Sequence, residues 1–359
     1  MNDREAYVAF NLTDRVGFAT VEGLVREAGS VAAAWEAYPK KVSRTGGEID
    51  WQAEFRMAEK YGVTIVTPVD EAYPPQLKGV PGRPLALYVK GDVAALGKAS
   101  VALVGTRRAT SYGLAIANHM AYDLAKSGFC VISGLALGID AECHRGALDA
   151  GGVTVGVIGS GLNRFYPEEN RALAREIVAH GGAVVSEFPF GRPADKTTFP
   201  IRNHVVAALA KGVVAVEAPF KSGTLITTGI AADLGRTVMA VPARVDSRMS
   251  AGCLQLIREG AVLVRNADDV IEAVGDFFAG QKKRGDAERE TPDPLAPPDT
   301  VEEALMMTHV DADGVSLDDL SRLTGLDIGK VNALAMGLRI KGFVRFLPGN
   351  RISLLTERR

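Results

Sequence analysis

A doubly wound, mainly parallel α/β sheet of Rossmann-like type is the fold class that the sequence predicts, with a small helical domain before it and a winged-helix-like domain after it. Three observations carry this. Short runs of Val, Ile and Ala recur between about Ser100 and Val274 without in-and-out alternation, as strands do when both faces of their sheet are covered. The segments between them step their apolar residues by three and four, which is helical spacing. Glycine-rich turns follow the first three runs, where sheets of this class bind their ligands.

Composition sets the outer limits. A chain of 359 residues is long enough for two or three domains. Its 47% hydrophobic and 23% charged residues are those of an ordinary folded protein rather than a disordered or fibrous one. A net charge of −2 excludes a protein that finds nucleic acid through bulk positive charge, but leaves room for a local basic pocket. Cys130, Cys143 and Cys253 form no C-x-x-C pair, so they are expected as small buried apolar residues in a reducing compartment. No stretch approaches the ~18 apolar residues of a membrane span, and the start lacks signal-peptide order. A cytoplasmic protein with no membrane partner is expected.

In chain order, residues 1–70 read as a small helical domain of SAM or helix-hairpin-helix type. There Val16, Val21, Leu24 and Val25, then Val31, Ala34 and Trp35, mark helices around turns at Gly17 and Gly29. Tyr73-Pro74-Pro75 and Pro81-Gly82-Arg83-Pro84 punctuate the passage into the sheet domain, residues 71–278. Its strands are expected at Val101–Val104, Val131–Ser133, Val153–Ile158, Ala183–Val185, Val213–Val216, Val238–Val241 and Val262–Val264. Between them, Ala117, Met120, Ala121, Leu124 and Ala125 form one helical stripe, and Leu173, Ile177 and Val178 another. Residues 279–299 are charged, proline-bearing and poor in large apolar residues, hence a linker. Residues 300–359 read helix, helix, helix, hairpin. Ser316 with Asp319 gives a capping-box spacing, Asp327 caps the next helix, and Pro348-Gly349-Asn350 makes the hairpin turn.

The turns after the first three strands are Gly105-Thr106-Arg107, Ser133-Gly134 and Gly159-Ser160-Gly161. Bare backbone amides at helix N-termini bind phosphate or another anion, although glycine turns serve structure as often as binding. Arg107 would stand at the mouth of the first strand. Phe199-Pro200-Ile201-Arg202-Asn203-His204 is expected to precede a helix beginning at Val205, and Lys221-Ser222-Gly223-Thr224 to open another. Four such basic or hydroxylated turns on one sheet edge suit phosphate contacts. Arg164 stands where a dinucleotide site needs its third glycine, and no G-x-x-x-x-G-K-[ST] occurs, so NAD and ATP are not indicated and no cofactor is expected. The five histidines have no metal spacing, and no nucleophile with an evident base can be named. Asp140 and His144 share helical spacing, read as a cap and a partly buried histidine. Glu187 and Glu217 lie near strand ends, either as a carboxylate pair or as partners of backbone amides or of basic groups.

These motifs, together with Tyr73-Pro74, Tyr166-Pro167, Asn170, Ser186-Glu187 and Gly252-Cys253, resemble the DNA processing protein A (DprA/Smf) family from about Tyr73 to Val264. The resemblance implies a non-enzymatic protein that binds single-stranded DNA, shields it and loads the RecA recombinase onto it in natural transformation, acting as a homodimer through its Rossmann-like domain. It implies that Arg107 holds DNA phosphate. As walls of the pocket it implies Gly105, Thr106, Ser133, Gly134, Gly159, Ser160, Gly161, Arg202, Asn203, Lys221, Ser222, Gly223 and Thr224. Three residues depart from the family pattern: His204 where an arginine is usual, Ala243 for a glycine and Leu254 for an asparagine. His204 would make phosphate binding pH-dependent. The sheet segment, residues 96–275, carries 18 Lys and Arg against 16 Asp and Glu, so affinity must come from a few placed contacts. The alternative, a nucleotide or phosphoribosyl hydrolase similar to the lysine-decarboxylase-like (LOG) family, requires a catalytic glutamate where this chain has Thr227.

Overall fold

The computed structural model describes residues 1–39, 42–43, 48–275, 300–311, 314–340, 343–347 and 350–354; the expected linker at 279–299 lies outside them. Two compact units divide at Phe277/Phe278.

The first unit opens with α1 (Asp3–Leu12), α2 (Phe18–Ala28), α3 (Val31–Ala37) and α4 (Trp51–Tyr61). Local chemistry fixes their ends. Asn2 and Glu5 form a reciprocal capping box on α1, Ser30 and Asp50 cap α3 and α4, and Gly29 and Gly62 stop α2 and α4 in the left-handed region. Phe10, Val21, Val31 and Trp35 form a core between α1, α2 and α3. The sequence reading placed α2 and α3; α1 and α4 are additional.

Next come β1 (Thr64–Val66), β2 (Leu87–Gly91), β3 (Ser100–Gly105), α5 (Ser111–Lys126), β4 (Cys130–Ser133), α6 (Ile139–Asp149), β5 (Thr154–Val157), α7 (Arg171–Ala179) and β6 (Ala183–Ser186). They are followed by α8 (Thr198–Leu209), β7 (Gly212–Glu217), α9 (Gly223–Asp233), β8 (Thr237–Ala240), α10 (Ala251–Arg258), β9 (Val262–Leu263) and α11 (Ala267–Ala273). Among the described residues the nine strands form one sheet in the order β1-β2-β6-β5-β4-β3-β7-β8-β9. From β6 to β9 every pair is parallel. The chain winds outward from β3 to β6, then returns to the other flank of β3 as β7, so the switch point lies between β3 and β7.

Four expectations change here. β2 extends the sheet antiparallel to β6, and β1, antiparallel to β2, lies outside β2; both flank the proline-rich turns that read as punctuation rather than as strand. β9 is not covered on both faces, since Val262 and Leu263 are 43% and 45% exposed at the sheet edge. α8 starts at Thr198, not Val205: Asp195 accepts from the Thr197 and Thr198 amides at 2.7 and 3.1 Å, and Pro200 is tolerated in a first turn that needs no amide. His144 is wholly buried. Its Nδ1 lies 2.7 Å from the Thr154 hydroxyl, which itself donates to the Val131 carbonyl at 2.6 Å, so Nδ1 carries the proton. Burial pushes its pKa down to about 3. The three cysteines are free and buried.

The second unit holds α12 (Val301–Met307), β10 (Val315–Ser316), α13 (Leu317–Thr324), α14 (Ile328–Ile340), β11 (Val344–Leu347) and β12 (Arg351–Leu354). Its sheet runs β10-β12-β11, a winged-helix arrangement around Met306, Leu317, Leu320, Val331 and Leu338. Ser316 accepts from the Asp319 amide at 3.0 Å and Asp327 from the Gly329 amide at 2.8 Å, as the spacing predicts. Of the expected hairpin turn, Pro348 and Gly349 lie outside the described residues, and Asn350 is left-handed at φ 56°.

Two outcomes follow from the packing. A Cβ on Gly146 of α6 would run into the Asn118 carbonyl of α5; Gly146→Ala is expected to cost roughly 1–3 kcal/mol, read as a lower urea midpoint. Glu54 is buried beneath Phe190, and burial pushes its carboxyl up to about 7 from an ordinary 4.5. The folded state therefore binds more protons than the unfolded one between these values. Stability falls as pH rises through that window, by about 3 kcal/mol for the isolated group. Glu54→Gln should raise the denaturation midpoint at pH 8, with the advantage vanishing near pH 4.5.

Candidate functional site

The carboxyl ends of β3, β4 and β7 open on a cleft of about 420 Å³. Gly105, Thr106, Arg107, Gly134, Arg202, Asn203, Ser222, Gly223 and Thr224 line it, nine of the positions expected from the sequence. Gly159 lines an adjoining recess with Arg107, Leu137, Tyr166 and Phe199.

The loop after β3 is clamped by its neighbour. The Thr106 amide donates to the Glu217 carbonyl at 2.8 Å. The Glu217 carboxylate accepts from the Thr110 amide at 2.8 Å and the Thr110 hydroxyl at 2.7 Å. Thr110 in turn caps α5, and only glycine fits at 113, because a Cβ there would strike Glu217. Of the readings of Glu217, the backbone-amide partner is the one observed, with the Thr110 hydroxyl beside it. A pairing with Glu187 is ruled out by topology: β6 and β7 are four strand spacings apart, about 19 Å.

The clamp sets Arg107 at the mouth of the cleft. Its guanidinium carbon lies 4.9 Å from the centre of the Phe199 ring, and among the described residues it forms neither a hydrogen bond nor an ion pair. Arg202, by contrast, is 6% exposed. Its Nη1 donates to the Gly134 carbonyl and, at 2.8 Å, to the Val157 carbonyl, and its Nε to Asn203 Oδ1 at 3.0 Å. Only Nη2 stays without a partner among the described residues. Burial lowers the Arg202 pKa and Asp140 raises it. Burial raises Asp140, which Arg202 pulls back down. Asp140 is not the cap expected of it: Gly138 holds that position, and the Asp140 carboxylate instead accepts from the Ala136 amide at 3.4 Å. Asn170 fastens the same loop, donating to the Leu135 and Ala136 carbonyls at 2.9 and 3.0 Å.

Four expected residues stand elsewhere. Ser133 is fully buried, and its hydroxyl donates to the Leu103 carbonyl at 2.6 Å, tying β4 to β3. Ser160 is fully buried, and its carbonyl accepts from Ser186 at 2.7 Å. The Gly161 amide donates to the Arg192 carbonyl at 2.8 Å, with no room for a Cβ beside Pro189. Lys221 is exposed and left-handed at φ 60°, turning the chain into α9. The first three shape the sheet end, as small residues do at close backbone approaches. His204 also lies outside the cleft, against the turn at Gly82. Burial lowers its pKa, so the pH dependence expected of it near neutrality has no basis in its position. The sequence reading missed Phe199; its place three residues before Arg202 on one helix face was the available signal.

A buried arginine, one without a hydrogen-bonded acceptor among the described residues and the exposed start of α9 give the cleft at the switch point of this Rossmann-like sheet the chemistry that suits an anion. The chain belongs to the family described as DNA recombination-mediator protein A, whose model matches residues 64–275; a DprA winged helix domain model matches residues 289–350. Protein Smf of Synechocystis sp. is 30% identical over 98% of both chains. DNA processing protein A of Streptococcus pneumoniae superposes with a TM-score of 0.64 at 29% identity, over 76% of this chain and 98% of that one. Its counterpart from Helicobacter pylori, whose structure is described as revealing a unique single-stranded DNA binding mode, matches at 0.53 and 29% identity over 60% and 96%.

Glu217→Ala removes both acceptors of Thr110 and is expected to cost about 1.5–3 kcal/mol, seen as a fall in the urea midpoint.

Proposed function

We propose that this chain binds single-stranded DNA, protects incoming strands and loads the RecA recombinase onto them during natural transformation or recombination, without catalysing a reaction itself. The observation that carries the reading is that Arg107 and Arg202 line one cleft together with the glycine turns, beside the Phe199 ring. Guanidinium groups and bare amides suit a phosphate, while an aromatic face suits an unpaired base. The DNA binding mode described for the Helicobacter pylori relative supports the ligand, and the family description of a recombination mediator supports the recombinase step. A homodimer formed through the sheet unit belongs to the same reading, favoured by the exposed apolar edge at Val262 and Leu263. So does a cytoplasmic setting; no helix among the described residues is long and apolar enough to cross a membrane.

The hydrolase alternative finds no favouring observation. Thr227, where it needs a glutamate, bonds the Gly223 carbonyl of its own helix at 3.4 Å, and Glu217 is held by Thr110.

Fluorescence anisotropy with a labelled single strand and the matched duplex, at two salt concentrations, tests the proposal. The single strand should bind more tightly. Arg107→Ala should weaken it roughly tenfold or more and flatten the logarithmic salt slope by about 0.7. Equal affinity for both nucleic acids, or an indifferent Arg107→Ala variant, refutes it.

A further inference from the structure

We propose that Tyr166 is a base-stacking platform outside the main cleft, which receives the base next to the phosphate held by Arg107; this rests on the single-stranded DNA reading above.

The recess beside the cleft is walled by Arg107, Leu137, Tyr166 and Phe199. Two large apolar side chains are turned outward there, Leu137 at 39% and Tyr166 at 46% exposure. Single exposed apolar residues are ordinary on any surface. Here two stand together at the mouth of an anion site, next to a cation that has no protein acceptor among the described residues. The Tyr166 hydroxyl likewise forms no hydrogen bond there. The Tyr166 and Phe199 ring centres are 6.1 Å apart and the planes are inclined by 48°. Neither ring therefore lies flat on the other, and the Tyr166 face stays open. The recess itself holds only about 20 Å³, too little for a base to enter, so a base lies across its mouth against the rings. Stacking requires a face rather than a hole, and it is tolerant of sequence because every base has one.

The platform is held in place before any ligand arrives. Pro167 after it is buried, and Phe165 before it lies under the Arg171 guanidinium, 5.3 Å from its ring centre. Arg171 also grips Glu168 through two hydrogen bonds of 2.5 and 2.6 Å, which offsets an acidic charge two residues from the platform. Anchored neighbours on both sides reduce the backbone ordering that stacking on Tyr166 would otherwise require.

The experiment compares two fluorescein-labelled oligonucleotides of equal length, one of thymidines and one in which abasic residues replace them, with the full chain as wild type, Tyr166→Ala, Tyr166→Phe and Tyr166→Trp. Wild type should prefer the base-bearing strand. Tyr166→Ala should lose between about fivefold and a hundredfold on that strand, the span found for one stacked base, and little on the abasic one, while Tyr166→Phe keeps the wild-type ratio. In Tyr166→Trp, added indole emission should be quenched by the base-bearing strand alone. An equal loss on both strands for Tyr166→Ala, or no loss on either, overturns the platform, as does an indole that ignores the bases. If wild type binds neither strand, the DNA reading fails, and the platform with it.

Discussion

A guanidinium buried at the end of the sheet is the constraint around which the site is organised. Arg202 has left bulk water, and a buried charge is tolerated only when its donors find acceptors. Those acceptors come from three separate elements: the Gly134 carbonyl after β4, the Val157 carbonyl at the end of β5, and the Asn203 side chain on α8. Turns distant in sequence are thereby fixed to one point. Gly134 cannot carry a side chain, because a Cβ would collide with the Arg202 guanidinium. The glycine is thus needed for the arginine beneath it as much as for any ligand above it.

Arg107 is the complement of this arrangement. It sits on a loop that Glu217 immobilises through Thr110, yet among the described residues its guanidinium forms no ion pair, and Asp140 acts on it only at longer range. Arg107 is close enough to Arg202 to contribute, by repulsion, to lowering its pKa. An incoming anion would relieve that repulsion. A chain of net charge −2 can therefore hold a strongly attractive spot without a basic surface, because the attraction is local and partly shielded from solvent.

The parts of this architecture legible in the sequence are those with local causes. Valine-rich runs marked the strands β3 to β8, and helix caps such as Ser316 and Asp327 showed where helices begin. The glycine turns marked the edge of the sheet on which the cleft opens. What stayed hidden depends on tertiary neighbours. The run from Phe199 to His204 was expected to precede a helix, yet it forms the first turns of α8 with Pro200 among them, and the late start displaced Phe199 and Arg202 from the helical face they share. Ser133 and Ser160 have the composition of a phosphate loop, but their hydroxyls or carbonyls serve adjacent strands; small polar residues suit both tasks. His204 occupies a position named by family pattern, and only its packing against the Gly82 turn separates it from the cleft.

The antiparallel pairing of β2 with β6 has a consequence for where the molecule can be divided. Tyr88 on β2 packs edge-on against Phe190 beyond β6, at 5.4 Å, and Val8, Leu12 and Ala58 of the helices cover the same cluster. Removing the helices would bare an aromatic flank at the margin of a sheet whose outer strand, β1, has no further strand beside it among the described residues. It would also take away Arg4, which donates to the Ile65 carbonyl of that strand; a bare edge is the condition under which sheets recruit foreign strands. The helical layer thus acts as a protective coat for the sheet as well as a neighbour to it, and a shortened chain is one prone to self-association.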